Sequence, residues 1–286
     1  LDRVVVNNFQ VITAPGAEPL VVNQLLLRAK AEGSDIELET LEVALPDIGL
    51  ETAGQVQVSG DYPLSLRNDF NLRMADVPKL RLNGTVSGSL RQLELKQTLA
   101  GDLDAVLDAD VRDPLDKLGW RTHLVLTRIG PELVAMAGIA LPPGLNAEIS
   151  GNGDLQKADA TVQVNLDSRV AAPAEPADAM EPAGQVSNAN EAGPAPRSSP
   201  GSLKLSGSVV FDGLSFGAKG QWQSLQWPLV GTPQVVTESG GLEVTGSADD
   251  YRFSLDADIA GPGIPPGTWS MRGNGSTEQV HLSNLQ

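Results

Sequence analysis

Apolar and polar residues alternate along most of this chain with a period of two. Over residues 102–111, Leu103, Ala105, Leu107, Ala109 and Val111 interleave with Asp102, Asp104, Asp108 and Asp110. Over residues 251–259, Tyr251, Phe253, Leu255, Ala257 and Ile259 oppose Arg252, Ser254, Asp256 and Asp258. Leu64, Leu66, Phe70 and Leu72 keep the same rhythm, as do Val162, Val164 and Leu166. Successive side chains of a strand leave opposite faces, so each stretch predicts a strand with one oily and one wet face. The oily face requires cover from a second sheet, from the same sheet folded over, or from a ligand.

A second regularity lies over the first. A glycine-flanked phrase recurs at residues 56–60, 86–88, 149–151, 205–207, 244–246 and 271–273, nearly always followed by Ser, Asp or Asn and a new alternating run. Repetition of this kind predicts an all-β chain, an elongated and mostly antiparallel sheet of some eighteen strands. The opening stretch reads as short strands at residues 4–6, 21–27, 36–38 and 41–45, with turns at 14–16 and 46–49; residues 25–31 fit a helical turn equally well. Pro131 at a first helical position with Glu132 beside it predicts one short helix over residues 131–138, enough to cap or plug an end.

Residues 171–200 differ in kind. Pro173, Pro176, Pro182, Pro194, Pro196 and Pro200 stand among Ala, Glu, Asn and Ser, with almost nothing able to build a core. Such a composition predicts a disordered loop. The chain then divides into a β segment over residues 1–170, the loop, and a continuation of the same sheet over residues 201–286; two domains joined by a linker is the competing arrangement.

Composition narrows the function classes. A net charge of -16, from 36 acidic against 20 basic residues, argues against nucleic acid as a partner and against electrostatic docking on anionic membranes. Cysteine is absent, which removes disulfides and thiolate metal sites. Aromatics are only 4%, so the oily faces are mostly Leu and Val. The chain starts at Leu1 without a charged-then-apolar leader, and no apolar run approaches the roughly 20 residues of a membrane span. It therefore reads as an interior segment of something longer.

Candidate chemistry is thin. Gly213, Ser215 and Gly217 match a nucleophile elbow, but that motif requires a following helix, and the next residues are strand-like. The cluster Asp102, Asp104, Asp108, Asp110, Asp113 and Asp116 lacks the spacing of a calcium loop and falls on one face of a strand. Two histidines, His123 and His281, lie far apart in strand patterns, which disfavours a transition-metal site. Gly151 and Gly153 share only two glycines with a dinucleotide fingerprint and are expected to form a turn. Trp222 and Trp227 are expected to close a strand that Pro228 ends. No catalytic residue, metal or cofactor is expected, and the chain is not expected to be an enzyme.

Four stretches carry a resemblance to a known family: residues 60–64, residues 84–90 running on to 113–115 and Trp120, residues 220–229 with Trp222 and Trp227, and residues 247–251 through 263–269 to Gly275. Together and in this order they resemble the TamB family, the periplasmic subunit of the translocation and assembly module, within the AsmA-like bridge-type lipid-transfer proteins. The resemblance spans the chain apart from residues 171–200. It implies a sheet curled along its axis into a taco-like groove, apolar inside and polar outside, reaching from the inner towards the outer membrane. It also implies a periplasmic location with the anchor outside this segment. A barrel partner of the TamA type in the outer membrane would be met through regions outside it too.

On that reading the chain is a conduit for phospholipid between the two membranes that also supports outer-membrane protein assembly. Its groove residues would be Leu64, Leu66, Phe70, Leu72, Leu103, Leu107, Val162, Val164, Tyr251, Phe253 and Leu255, in contact with acyl chains. The same fold has a second possible cargo, unfolded outer-membrane strands held by edge pairing. The competing classes are a secreted or surface β-solenoid, such as an adhesin or autotransporter passenger with a closed dry core, and an enzyme on a β-helix.

Overall fold

The computed structural model describes residues 3–11, 19–72, 79–138, 140–142, 144–167, 201–247 and 249–286. Nine strands come first: β1 Val4–Val11, β2 Leu20–Glu32, β3 Asp35–Ala44, β4 Ile48–Gln57, β5 Leu64–Leu72, β6 Leu80–Ser89, β7 Gln92–Gly101, β8 Leu103–Arg112 and β9 Gly119–Ile129. The short helix α1 Pro131–Ala137 follows. Eight more complete the chain: β10 Gly144–Gly153, β11 Lys157–Asp167, β12 Gly201–Val210, β13 Ser215–Trp227, β14 Val235–Ser247, β15 Tyr251–Gly261, β16 Ile264–Gly275 and β17 Val280–Leu285.

Every strand pairs antiparallel with its neighbours in sequence, from β1 to β17, in one continuous meander. Among the described residues no pairing joins β17 to β1, so the sheet is open rather than closed into a barrel. Seventeen strands at about 4.8 Å each span roughly 77 Å along the hydrogen-bonding direction. β11 and β12 pair from Lys157↔Val210 to Leu166↔Gly201, so the stretches on either side of the Pro-rich segment form one sheet. The expectation of disorder over residues 171–200 and the turn at 14–16 lie outside the described residues.

Several local readings are corrected. Residues 25–31 belong to β2 and are extended throughout, because pairing with β1 on one side and β3 on the other satisfies their backbone. Residues 36–38 and 41–45 are not two strands: they fall almost wholly in β3, whose pairing to β4 shifts register between Leu38 and Leu41. That bulge places both leucines on the same face with two residues between them, which broke the visible alternation. Helix α1 has Pro131 in its first turn and ends on Gly138 at φ 67°, whose N–H donates to the Ala135 carbonyl at 3.2 Å. It does not cap an end of the sheet: β9 and β10 pair directly beneath the connection, so α1 sits at a strand-end rim in mid-meander.

Among the described residues no second layer covers the sheet, and no large side chain is fully buried. The most buried apolar residues are small: Ala105 at 2%, Ala257 at 4% and Ala147 at 7%, beside Val22 at 4%. Each of these alanines stands beside a large cross-strand neighbour, Leu126 for Ala105 and Ala147 and Trp269 for Ala257. Bulges at Arg28/Ala29, Leu38/Leu41, Asp104/Ala105 and Thr237/Gly240 bend and twist the sheet locally.

Candidate functional site

Residues directly opposite one another in an antiparallel ladder share a face, so the register traces the apolar surface strand by strand. One row crosses all seventeen strands without a break. It starts Val4, Leu27, Leu41, Thr52, Asn68, Gly84, Gln97, Leu107. It continues Leu124, Ile149, Val162, Leu205, Gly220, Leu242, Leu255, Met271, Leu285. Twelve of these are apolar and two are glycine. The parallel row from Ala105 mixes small and large apolar residues: Leu126, Ala147, Val164, Leu203, Trp222, Gly240, Ala257, Trp269.

All eleven residues picked from the sequence lie on this one face. Leu64, Leu66, Phe70 and Leu72 sit in β5 opposite Gly88, Val86, Leu82 and Leu80. Leu103 and Leu107 face Ile129 and Leu124, and Val162 and Val164 face Ile149 and Ala147. Tyr251, Phe253 and Leu255 face Gly275, Gly273 and Met271. Each is half-buried.

Glycines shape this lining in a manner the sequence concealed. Gly151 and Gly153 do not form a turn; they lie in β10, and the turn follows at residues 154–156. The Trp120 ring of β9 rests over both, so that a Cβ on Gly151 would stand 3.0 Å from its Cζ3. Trp222 likewise lies over Gly240 in β14, and its Nε1–H donates to Thr237 Oγ1 at 2.9 Å. Trp222 thus lines the apolar face, whereas Trp227 ends β13 and is 56% exposed. In both places a large ring occupies the space that a side chain on the neighbouring glycine would need.

The opposite face is charged and paired across strands. Arg81 holds Asp69 at 2.6 Å, Arg128 holds Asp104 at 2.5 Å, and Lys219 holds Glu243 at 3.0 Å. The guanidinium hydrogen bonds keep the carboxyls of Asp69 and Asp104 below the usual carboxylate range. Hydroxyl hydrogen bonds from Thr268 and Ser239 do the same for Asp258. Such pairs are solvent-screened and add little to stability.

Ser215 opens β13 opposite Val210 and Ser247, with strand and not helix after it. His123 lies on the polar face 3.7 Å from Glu148, and His281 is exposed in β17. Among the described residues no group of three or more His, Cys, Asp or Glu is placed to hold a metal, and no helix is long and apolar enough to cross a membrane.

The polar members of the central row escaped the sequence reading. Gln97 is 6% exposed and exchanges hydrogen bonds with Asn68 across the intervening Gly84: Asn68 Nδ2 donates to Gln97 Oε1 at 2.9 Å, and Gln97 Nε2 donates to Asn68 Oδ1 at 3.1 Å. The signal was present as Asn68 and Gln97 at apolar-phase positions of alternating strands.

A family model described as TamB, N-terminal domain, matches residues 1–175 and 195–286. The unmatched residues fall within the Pro-rich stretch. No solved structure matches the chain.

Proposed function

This chain belongs to the TamB family, and we propose that its apolar face is a periplasmic path for phospholipid acyl chains between the inner and outer membranes. The observation that carries this reading is the unbroken inward row from Val4 to Leu285, flanked by further apolar rows and left without a covering layer. An exposed apolar surface of this extent calls for an occupant. Each methylene laid on the floor recovers at most about 0.8 kcal/mol, and an open gutter covers only one side of the chain. Long, repetitive linings of Leu and Val offer many near-equal positions, which favours sliding over tight capture. No bond is made or broken in this role, so the chain acts without being an enzyme. Membership of the family supports a place in the cell envelope; the membrane anchor and the meeting with a TamA-type barrel belong, in this reading, to regions outside this segment, as does support of outer-membrane protein assembly.

The test is photo-crosslinking in cells with a benzophenone amino acid at Leu255, on the apolar face, and at Asp256, on the polar face, followed by lipid analysis of the purified protein. Phospholipid captured at Leu255 and not at Asp256 is the expected result. A folded protein that captures lipid at neither position overturns the proposal.

A further inference from the structure

Along the central row the floor of the gutter is apolar except at one place. In the central row, Thr52, Asn68, Gly84 and Gln97 are consecutive on β4 to β7, and the six inward residues two positions up or down from Asn68, Gly84 and Gln97 are Leu66, Phe70, Val86, Leu82, Leu95 and Leu99. A polar island therefore sits inside an apolar frame. Gly84 makes it possible: a Cβ there would stand 1.9 Å from the Lys96 carbonyl oxygen and 2.7 Å from Gln97 Oε1, so a side chain would disturb both the ladder and the carboxamide pair.

The chemistry of the island leaves one group over. In a reciprocal carboxamide pair each NH₂ spends one hydrogen on its partner. Gln97 gives its second hydrogen to the Thr85 carbonyl at 3.2 Å, which also fixes the orientation of both amides, since the flipped form would set oxygen against oxygen. Thr52 directs its hydroxyl to the Arg67 carbonyl at 2.8 Å. The second N–H of Asn68 has no acceptor among the described residues, and Asn68 is half-buried where Gln97 is covered. One donor, held rigidly by its partner, is thus presented at the floor.

Resting on the conduit reading, we propose that Asn68, clamped by Gln97 over Gly84, is a hydrogen-bonding station for the ester carbonyl of a glycerolipid. Ester carbonyls are the acceptors that lie next to the acyl chains, and they carry no donor of their own. Elsewhere along the central row the floor offers a lipid only apolar contact. Here it offers a directional one, so a lipid sliding along the gutter is held with its glycerol region over β5 to β7.

The test compares the affinity of the purified chain for a short-chain, monomeric diacyl phosphatidylcholine and for its di-ether analogue, which lacks the carbonyls. The diester is expected to bind about two- to ten-fold more tightly, the worth of one neutral hydrogen bond. The preference is expected to vanish in the double variant Asn68→Leu with Gln97→Leu and in the smaller change Asn68→Ala, neither of which leaves a donor at the station, while the ether lipid binds as before. Equal affinities in the unaltered chain overturn the station and leave the conduit standing. A diester preference that survives in both folded variants also overturns it, by placing the preference elsewhere. Failure of both lipids to bind removes the conduit and the station together.

Discussion

Trp222 lies flat across Gly240 of the neighbouring strand, so close that a Cβ on the glycine would stand 2.2 Å from the ring. The indole Nε1–H is meanwhile tied to Thr237 beyond the bulge in β14. A ring that would stand up from a flat sheet is here laid down as paving. Gly240→Ala is expected to lift it, with a loss of about 1–3 kcal/mol from overpacking. Urea denaturation followed by tryptophan fluorescence checks this; an unchanged midpoint and spectrum would contradict the close approach.

Leu255 and Asp256 are adjacent in β15 and point to opposite faces. Leu255→Asp sets a charge in the central apolar row, whereas Asp256→Lys changes only the wet face and gives up a hydrogen bond from Ser270. In a transport complementation assay the first is expected to abolish function and the second to retain most of it. Equal effects would refute the assignment of faces.

Because Leu166 of β11 pairs with Gly201 of β12, the connection between them needs few residues. Deletion of residues 176–194, the part outside the family match, is expected to leave the thermal midpoint unchanged or slightly raised, since shortening a loop lowers its closure entropy. A broad or two-step unfolding transition in the deleted chain would count against one continuous sheet.

Asp69, Asp104 and Asp258 have folded-state pKa values below the ordinary 3.8, chiefly through hydrogen bonds from Arg81, Arg128 and Thr268. A lowered folded value means that their contribution is complete above about pH 4 and is lost as pH falls through the folded-state values. Urea midpoints are therefore expected to show no loss from these groups between pH 7 and pH 5, and a decline below pH 4 that is shallower in Asp104→Asn. A decline beginning near pH 6 would assign the dependence to other groups.

The strands of β8 and β15 were legible because each has a single wet face, which forces Asp and Leu into alternation. β3 was less legible, because its bulge between Leu38 and Leu41 inserts a residue that only pairing with β4 reveals. Gly151 and Gly153 misled because glycine signals a turn and also a place beneath a large ring; the ring, Trp120, belongs to another strand. Asn68 and Gln97 were passed over because two polar residues 29 positions apart have no visible relation until β6 is laid between them.

By itself the sequence determined the strands, the two faces and the kinship with the TamB family, since these rest on period, composition and short phrases local to each segment. Tertiary structure decided the rest: that the meander stays open, that the two parts around the Pro-rich stretch share one sheet, and that an amide pair interrupts the oily floor. The reason is that register is a relation between strands. Local alternation states which face a side chain takes, and only the ladder states what stands beside it.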